Sequence, residues 1–138
     1  VNIVLWAMQW LFGIYWLAIG AVHFIVPSGL PAPMSWMYEL SPELHAISGT
    51  LEILGGLGLL LPALLKRAVF LVPLAALGLA GVMGAAMIWH VQHESFAQTG
   101  PLNITIAVIM LFIAWGRWKL RPHTPRVQAT APESPVRA

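Results

Sequence analysis

Apolar residues fall along this chain in four long runs, and the few charged residues collect between them. The runs cover about residues 3–26, 45–64, 69–91 and 102–118. Each comes near the ~20 mostly apolar residues a helix needs to cross a bilayer. No alternation with period two marks a strand, and no heptad repeat or nucleotide-binding loop interrupts the pattern. The pattern therefore predicts an all-α, integral membrane four-helix bundle formed by residues 1–120, followed by a basic, proline-rich tail over 121–138. The first run lacks a basic start and a small-residue cleavage site, so it is expected to stay in the membrane rather than be removed as a signal peptide.

Local signals sharpen the ends. In "SPELH", Ser41 can cap free backbone N–H groups, Pro42 suits the first helical position, and Glu43 complements the positive helix end. Pro73 lies early in the third run and is expected to be tolerated as a kink. Residues 27–40 carry three prolines together with Met34, Trp36, Met37 and Tyr38. That mixture suits a loop lying on the membrane surface or folding over the bundle. The tail is expected to be disordered, or held by anionic lipid or a partner.

Composition agrees with a membrane protein. The chain is 59% hydrophobic and 9% charged, against about 25% charged in an ordinary soluble domain. It has no cysteine, which excludes disulfides, thiolate metal sites and a dithiol relay within these residues. The sign of the charges predicts topology. Lys66 and Arg67 lie between runs two and three, and Arg117, Lys119, Arg121, Arg126 and Arg137 close the chain. The other connections carry Glu39, Glu43 and Glu94 and no Lys or Arg. The positive-inside rule then puts both termini in the cytoplasm. Trp6, Trp115 and Trp118 fall near the inner interface, Trp36 and Trp89 near the outer one. Lipid headgroups, not nucleic acid, are the expected neighbours of the basic residues.

Against this background Glu52 stands out, because a carboxylate inside a bilayer costs several kcal/mol, by roughly the insertion scales. His45, Gly49, Glu52 and Gly56 follow i, i+4, i+7, i+11 and share one helical face. Ser48 lies one turn before Glu52. His23, His90, His93 and Asn103 fall at the same outer level, while the inner half offers little beyond Gln9. The candidate polar site is thus Glu52, His23, His90, His45 and Ser48. Two readings fit it: a clamp in which Glu52 bonds Ser48 or a histidine across helices, and a place that handles a proton or a ligand. The donor types of His23, Glu52 and His90 suit a metal, but no tight spacing supports one, so the metal is left unknown. Met83, Met87 and His90 share a face that could offer an axial ligand to haem or chlorin; packing explains the methionines better, and a tetrapyrrole is disfavoured. Gly49, Gly56, Ala76, Ala80, Gly81 and Gly84 are expected to pack helices, either within the bundle or against a partner subunit.

The segment "SGTLEILGGLGLLLP", with "HF" at His23–Phe24 before it and "LVPLAALGLAGVMGAAMIWH" after it, resembles the DoxX-like family of small bacterial membrane proteins over about residues 13–118. The resemblance implies four transmembrane helices in the bacterial cytoplasmic membrane. It also implies association with membrane oxidoreductases, the family name coming from a subunit found with a thiosulfate:quinone oxidoreductase. It implies no catalytic motif. The expected role is a non-catalytic accessory subunit of a larger electron-transfer complex, supporting assembly and lipid or quinone packing, with no activity of its own. The alternative is a quinone- or quinol-binding redox protein using the outer His/Glu site. A transporter ranks last, since the inner half offers no polar path.

Overall fold

The computed structural model describes residues 1–126 of the 138. Four helices follow one another: α1 (Asn2–Ile25), α2 (Pro42–Leu65), α3 (Leu71–Gln92) and α4 (Phe96–Trp115), the last continuing as a π-helical turn over Gly116–Leu120. All four are long and apolar enough to cross a membrane. At 1.5 Å per residue, helices of this length reach more than about 30 Å. No strand occurs among the described residues.

Three of the four boundaries fall within about three residues of the sequence expectation. Ser41 caps α2 by accepting a hydrogen bond at Oγ from Leu44 N (3.3 Å), with Pro42 at the first position. Pro73 is the third residue of α3. Its missing N–H is one the helix would leave unbonded anyway, so no kink is required. The exception is α4, which starts six residues before the expected 102. The Ser95 carbonyl accepts from Gln98 N and Thr99 N, and the Thr99 hydroxyl adds a third bond to it. Pro101 then costs the helix a single internal hydrogen bond.

α1 packs on α2, α2 on α3, and α3 on α4, while α1 and α4 touch sparingly. The core is built from Trp16, Leu59, Val72, Ala76, Leu79, Met110 and Ile113. Ala76 belongs to this core and Ala80 packs at its edge. Gly81 is exposed and Gly84 half-buried, and a Cβ on either would meet nothing within 4 Å. Neither therefore packs a helix inside this chain, which leaves the partner-facing alternative for these two.

The α1–α2 contact is the closest in the bundle. A Cβ on Gly20 would come within 2.9 Å of the Gly49 carbonyl oxygen, and one on Gly49 within 2.8 Å of the Gly20 carbonyl oxygen. A Cβ on Gly56 would lie 2.8 Å from the Gly13 carbonyl oxygen. Two glycines seven residues apart on each antiparallel helix let the backbones touch, as small residues do between membrane helices. This register sets His45 and Glu52 against α1.

Residues 32–39 form a 3-10 helix laid across the end of the bundle. Met37 inserts and is fully buried, while the Tyr38 hydroxyl accepts from Leu30 N and donates to the Pro27 carbonyl (both 2.9 Å). Of the two expectations for this loop, folding over the bundle is the one seen. At the opposite end, residues 121–126 lie against the bundle, with Arg126 N donating to Lys66 O (2.9 Å). The rest of the expected tail, 127–138, lies outside the described residues.

Candidate functional site

Under the 3-10 segment, α1 and α2 bring three of the five expected polar residues into one chain. His23 and Glu52 are both at least nine-tenths buried. His23 Nε2 lies 3.5 Å from Glu52 Oε2, and neither atom has a hydrogen-bond partner. On the other side of the His23 ring, Nδ1 is 2.9 Å from His45 Nδ1. His45 Nε2 is 2.9 Å from the Met37 carbonyl oxygen.

These contacts fix the protons. The Met37 oxygen can only accept, so His45 Nε2 carries a proton and donates it. A neutral His45 therefore accepts at Nδ1, and His23 Nδ1 is the donor to it. A neutral His23 then turns the lone pair of Nε2 toward Glu52. Two lone pairs facing each other in an apolar interior repel, so one more proton belongs to this group. It sits on the Glu52 carboxyl, on His23 or on His45. The three placements interconvert by hops along the contacts themselves: Glu52 to His23 Nε2, then His23 Nδ1 to His45 Nδ1. Glu52 is the buried end of this line and His45 the half-exposed end, beneath the 3-10 segment.

His90 is buried but takes a different partner. Its Nδ1 lies 2.8 Å from Ser95 Oγ, just past the end of α3. The Trp36 ring stands edge-on to His90 at 5.2 Å between centroids and lies 6.1 Å from the His23 ring. His93 stacks on Trp89 at the surface. Ser48 is half-buried and forms no hydrogen bond to Glu52; the side chain that approaches the carboxyl is His23. Among the described residues no three His, Asp or Glu side chains converge to hold a metal ion, and the His23–Glu52–His90 set is not assembled. Three further buried polar atoms lack partners among the described residues, Trp16 Nε1, Asn103 Nδ2 and Arg117 Nη2.

The opposite end holds a cluster that reasoning from sequence missed. Arg117 is buried against Gln9, which also donates from Nε2 to Leu59 O (2.6 Å). His123 stands beside them, edge-on to Trp6 at 4.8 Å between ring centroids. Burial first, and then the Arg117 charge, lower the His123 pKa to about 4. A signal was present: Gln9 is the one polar residue deep in the first run, and Arg117 lies within the "AWGRW" stretch rather than after it.

A family model described as the DoxX-like family matches residues 7–116. The chain belongs to the DoxX-like family. The match covers α1 to α4 and includes the His23–Glu52–His45 line, the Gly20–Gly49 crossing and the 3-10 segment. With its four spanning helices, this DoxX-like chain is a multi-pass membrane protein. No curated protein and no solved structure matches it significantly.

Proposed function

We propose that this DoxX-like protein works as a non-catalytic subunit of a larger assembly in the bacterial cytoplasmic membrane, docking through α3. The observation that supports this is the different fate of its glycines. In α1 and α2, Gly13, Gly20, Gly49, Gly55, Gly56 and Gly58 each lie against a neighbouring helix, close enough to exclude a Cβ. In α3, Gly78, Gly81 and Gly84 face open space. A glycine inside a helix costs about 1 kcal/mol relative to alanine. Three glycines without an internal cause are explained by an external one, the close approach of another helix. Beside them, a groove of about 340 Å³ between α2 and α3, lined by Leu54, Gly55, Gly58, Leu74, Gly78 and Leu79, gives a partner side chain somewhere to seat.

The family resemblance makes an electron-transfer complex the expected host. In that setting the partner moves the electrons, and this chain contributes packing, lipid or quinone shielding, and the outer proton line. Native mass spectrometry of the protein released gently from its own membrane tests the reading. The expected result is one larger assembly carrying this chain at fixed stoichiometry, lost in Gly81→Leu while the isolated chain keeps its helicity. A lone monomer in both forms overturns it.

A second reading, a quinone or quinol site, draws on the unfilled hydrogen bonds of His23 Nε2 and Glu52 Oε2. Glu52 would first pass its own proton along the line to His45 and then accept one from a quinol hydroxyl. Retention of a quinone by wild type and its loss in Glu52→Gln would favour this reading over simple docking.

A further inference from the structure

The end of the bundle that carries Lys66, Arg67 and Lys119 holds a buried charge that docking through α3 does not use. Arg117 is 3% exposed. Its Nε donates to Gln9 Oε1 (2.8 Å), and its Nη1 to Asn2 Oδ1 (2.9 Å) and to the Arg121 carbonyl (3.3 Å). Every one of these acceptors is neutral. Among the described residues no carboxylate comes within ion-pair distance of it, and its Nη2 has no hydrogen-bond partner. The Trp6 ring, 5.0 Å from the guanidinium carbon, offers only a cation–π contact. A guanidinium does not shed its proton, so among the described residues this is a desolvated cation without a counter-charge, the arrangement proteins avoid most strongly.

Beside Arg117 lies a cavity of about 410 Å³. Arg117 and His123 line it, and so do Val69, Phe70, Leu74 and Trp118. Phe70, Leu74 and Trp118 are more than half exposed on the lipid-facing surface of the helices. The His123 Nε2–H donates to Gln9 Oε1 (3.1 Å), which leaves its Nδ1 free of that bond. With a pKa of about 4, His123 is neutral near pH 7 and brings no second positive charge of its own. The site therefore combines one fixed cation with an apolar wall that runs out to lipid.

We propose that this cavity binds one phospholipid with an anionic headgroup, its phosphate oxygens against Arg117 and an acyl chain along Phe70 and Leu74. Guanidinium is the side chain best matched to phosphate oxygens. A free phosphate would answer the charge but leave the apolar wall uncovered, and that favours the lipid. By the positive-inside expectation, the lipid belongs to the inner leaflet. The lipid would supply the counter-charge that the described part of the chain lacks.

The test uses the full chain in nanodiscs of mixed phosphatidylglycerol and phosphatidylcholine, followed by native mass spectrometry. Wild type is expected to keep one phosphatidylglycerol in preference to phosphatidylcholine. Arg117→Gln should lose it, but that variant also loses bonds to Gln9 and Asn2 and can misfold. Val69→Trp fills the cavity without touching those bonds; it should cut retention by about tenfold or more while circular dichroism stays unchanged. Equal retention of the two lipids, or full retention in Val69→Trp, overturns the proposal. Displacement of the lipid by millimolar inorganic phosphate overturns its lipid part and leaves a free-anion site. Retention that emerges only in Glu133→Gln also overturns it, by assigning Arg117 to a carboxylate of the chain's own tail.

Discussion

Replacing Glu52 by glutamine decides where the extra proton of the His23–Glu52–His45 group rests. If it rests on the carboxyl, the acid donates toward His23 Nε2, and a glutamine amide N–H can do the same from nearly the same place. The substitution should then cost less than about 1 kcal/mol, the net worth of one ordinary hydrogen bond. If it rests on His23, glutamine strips the counter-ion from a buried imidazolium, a loss of about 3–5 kcal/mol. The burial of both partners and their separation of 3.5 Å without a formed hydrogen bond favour the first case, since a buried ion pair repays its desolvation only with close, well-bonded geometry. Glu52→Ala leaves His23 Nε2 facing an empty space: it should cost about 1–3 kcal/mol if the proton rests on the carboxyl, and the same as glutamine, about 3–5 kcal/mol, if it rests on His23. Reversible unfolding in lipid bicelles measures the three stabilities. Infrared spectroscopy should show a protonated-carboxyl band in wild type that vanishes in Glu52→Gln. Equal costs for Gln and Ala, or no such band, would refute the assignment.

Four other outcomes follow from the geometry. Gly49→Ala should destabilise the fold by about 1–3 kcal/mol, because its Cβ meets the Gly20 carbonyl and α1 must move away; Gly78→Ala, facing open space, should be neutral or stabilising by up to about 1 kcal/mol in the same assay. Ser41→Ala removes the cap on Leu44 N and should cost about 1 kcal/mol, read as faster amide exchange in the first turn of α2. His123 titrates near 4 when docked and near 6.5 when free, so the undocked form binds more protons between those values; docking of residues 121–126 is complete above about pH 6.5 and weakens as pH falls toward 4, which the accessibility of a Thr124→Cys label should track.

The fold was readable because lipid imposes simple demands. Four apolar runs, a capped start at Ser41 and prolines at helix beginnings were enough for α1, α2 and α3. The start of α4 was misplaced because Pro101 and the polar residues before it look like a connection, although one lost hydrogen bond does not stop a helix. At the candidate site, the shared face of His45, Gly49, Glu52 and Gly56 could be read from helical spacing, and that face does turn to α1. Its pairing with His23 rather than Ser48 or His90 could not be read, because it depends on the Gly20–Gly49 register between helices. Nor could the contact of Trp36 with both His23 and His90, which depends on a loop closing over the end. Arg117 was assigned to the membrane surface on charge alone; only the closing of α4 onto α1 shows that it is inside.

The span between Gln9 and Arg117 has a consequence for how the protein is made. Gln9 enters the membrane with the first helix, carrying an amide that hydrocarbon cannot satisfy. Its N–H finds the Leu59 carbonyl once α2 is in place. Its oxygen must wait for Arg117 and His123, 108 and 114 positions later. Until the ribosome has passed Arg117, the nascent protein carries an unmet polar group in α1. The segment that follows α4 thus completes α1, and a chain truncated before Arg117 would present the insertion machinery with a visible mark of being unfinished.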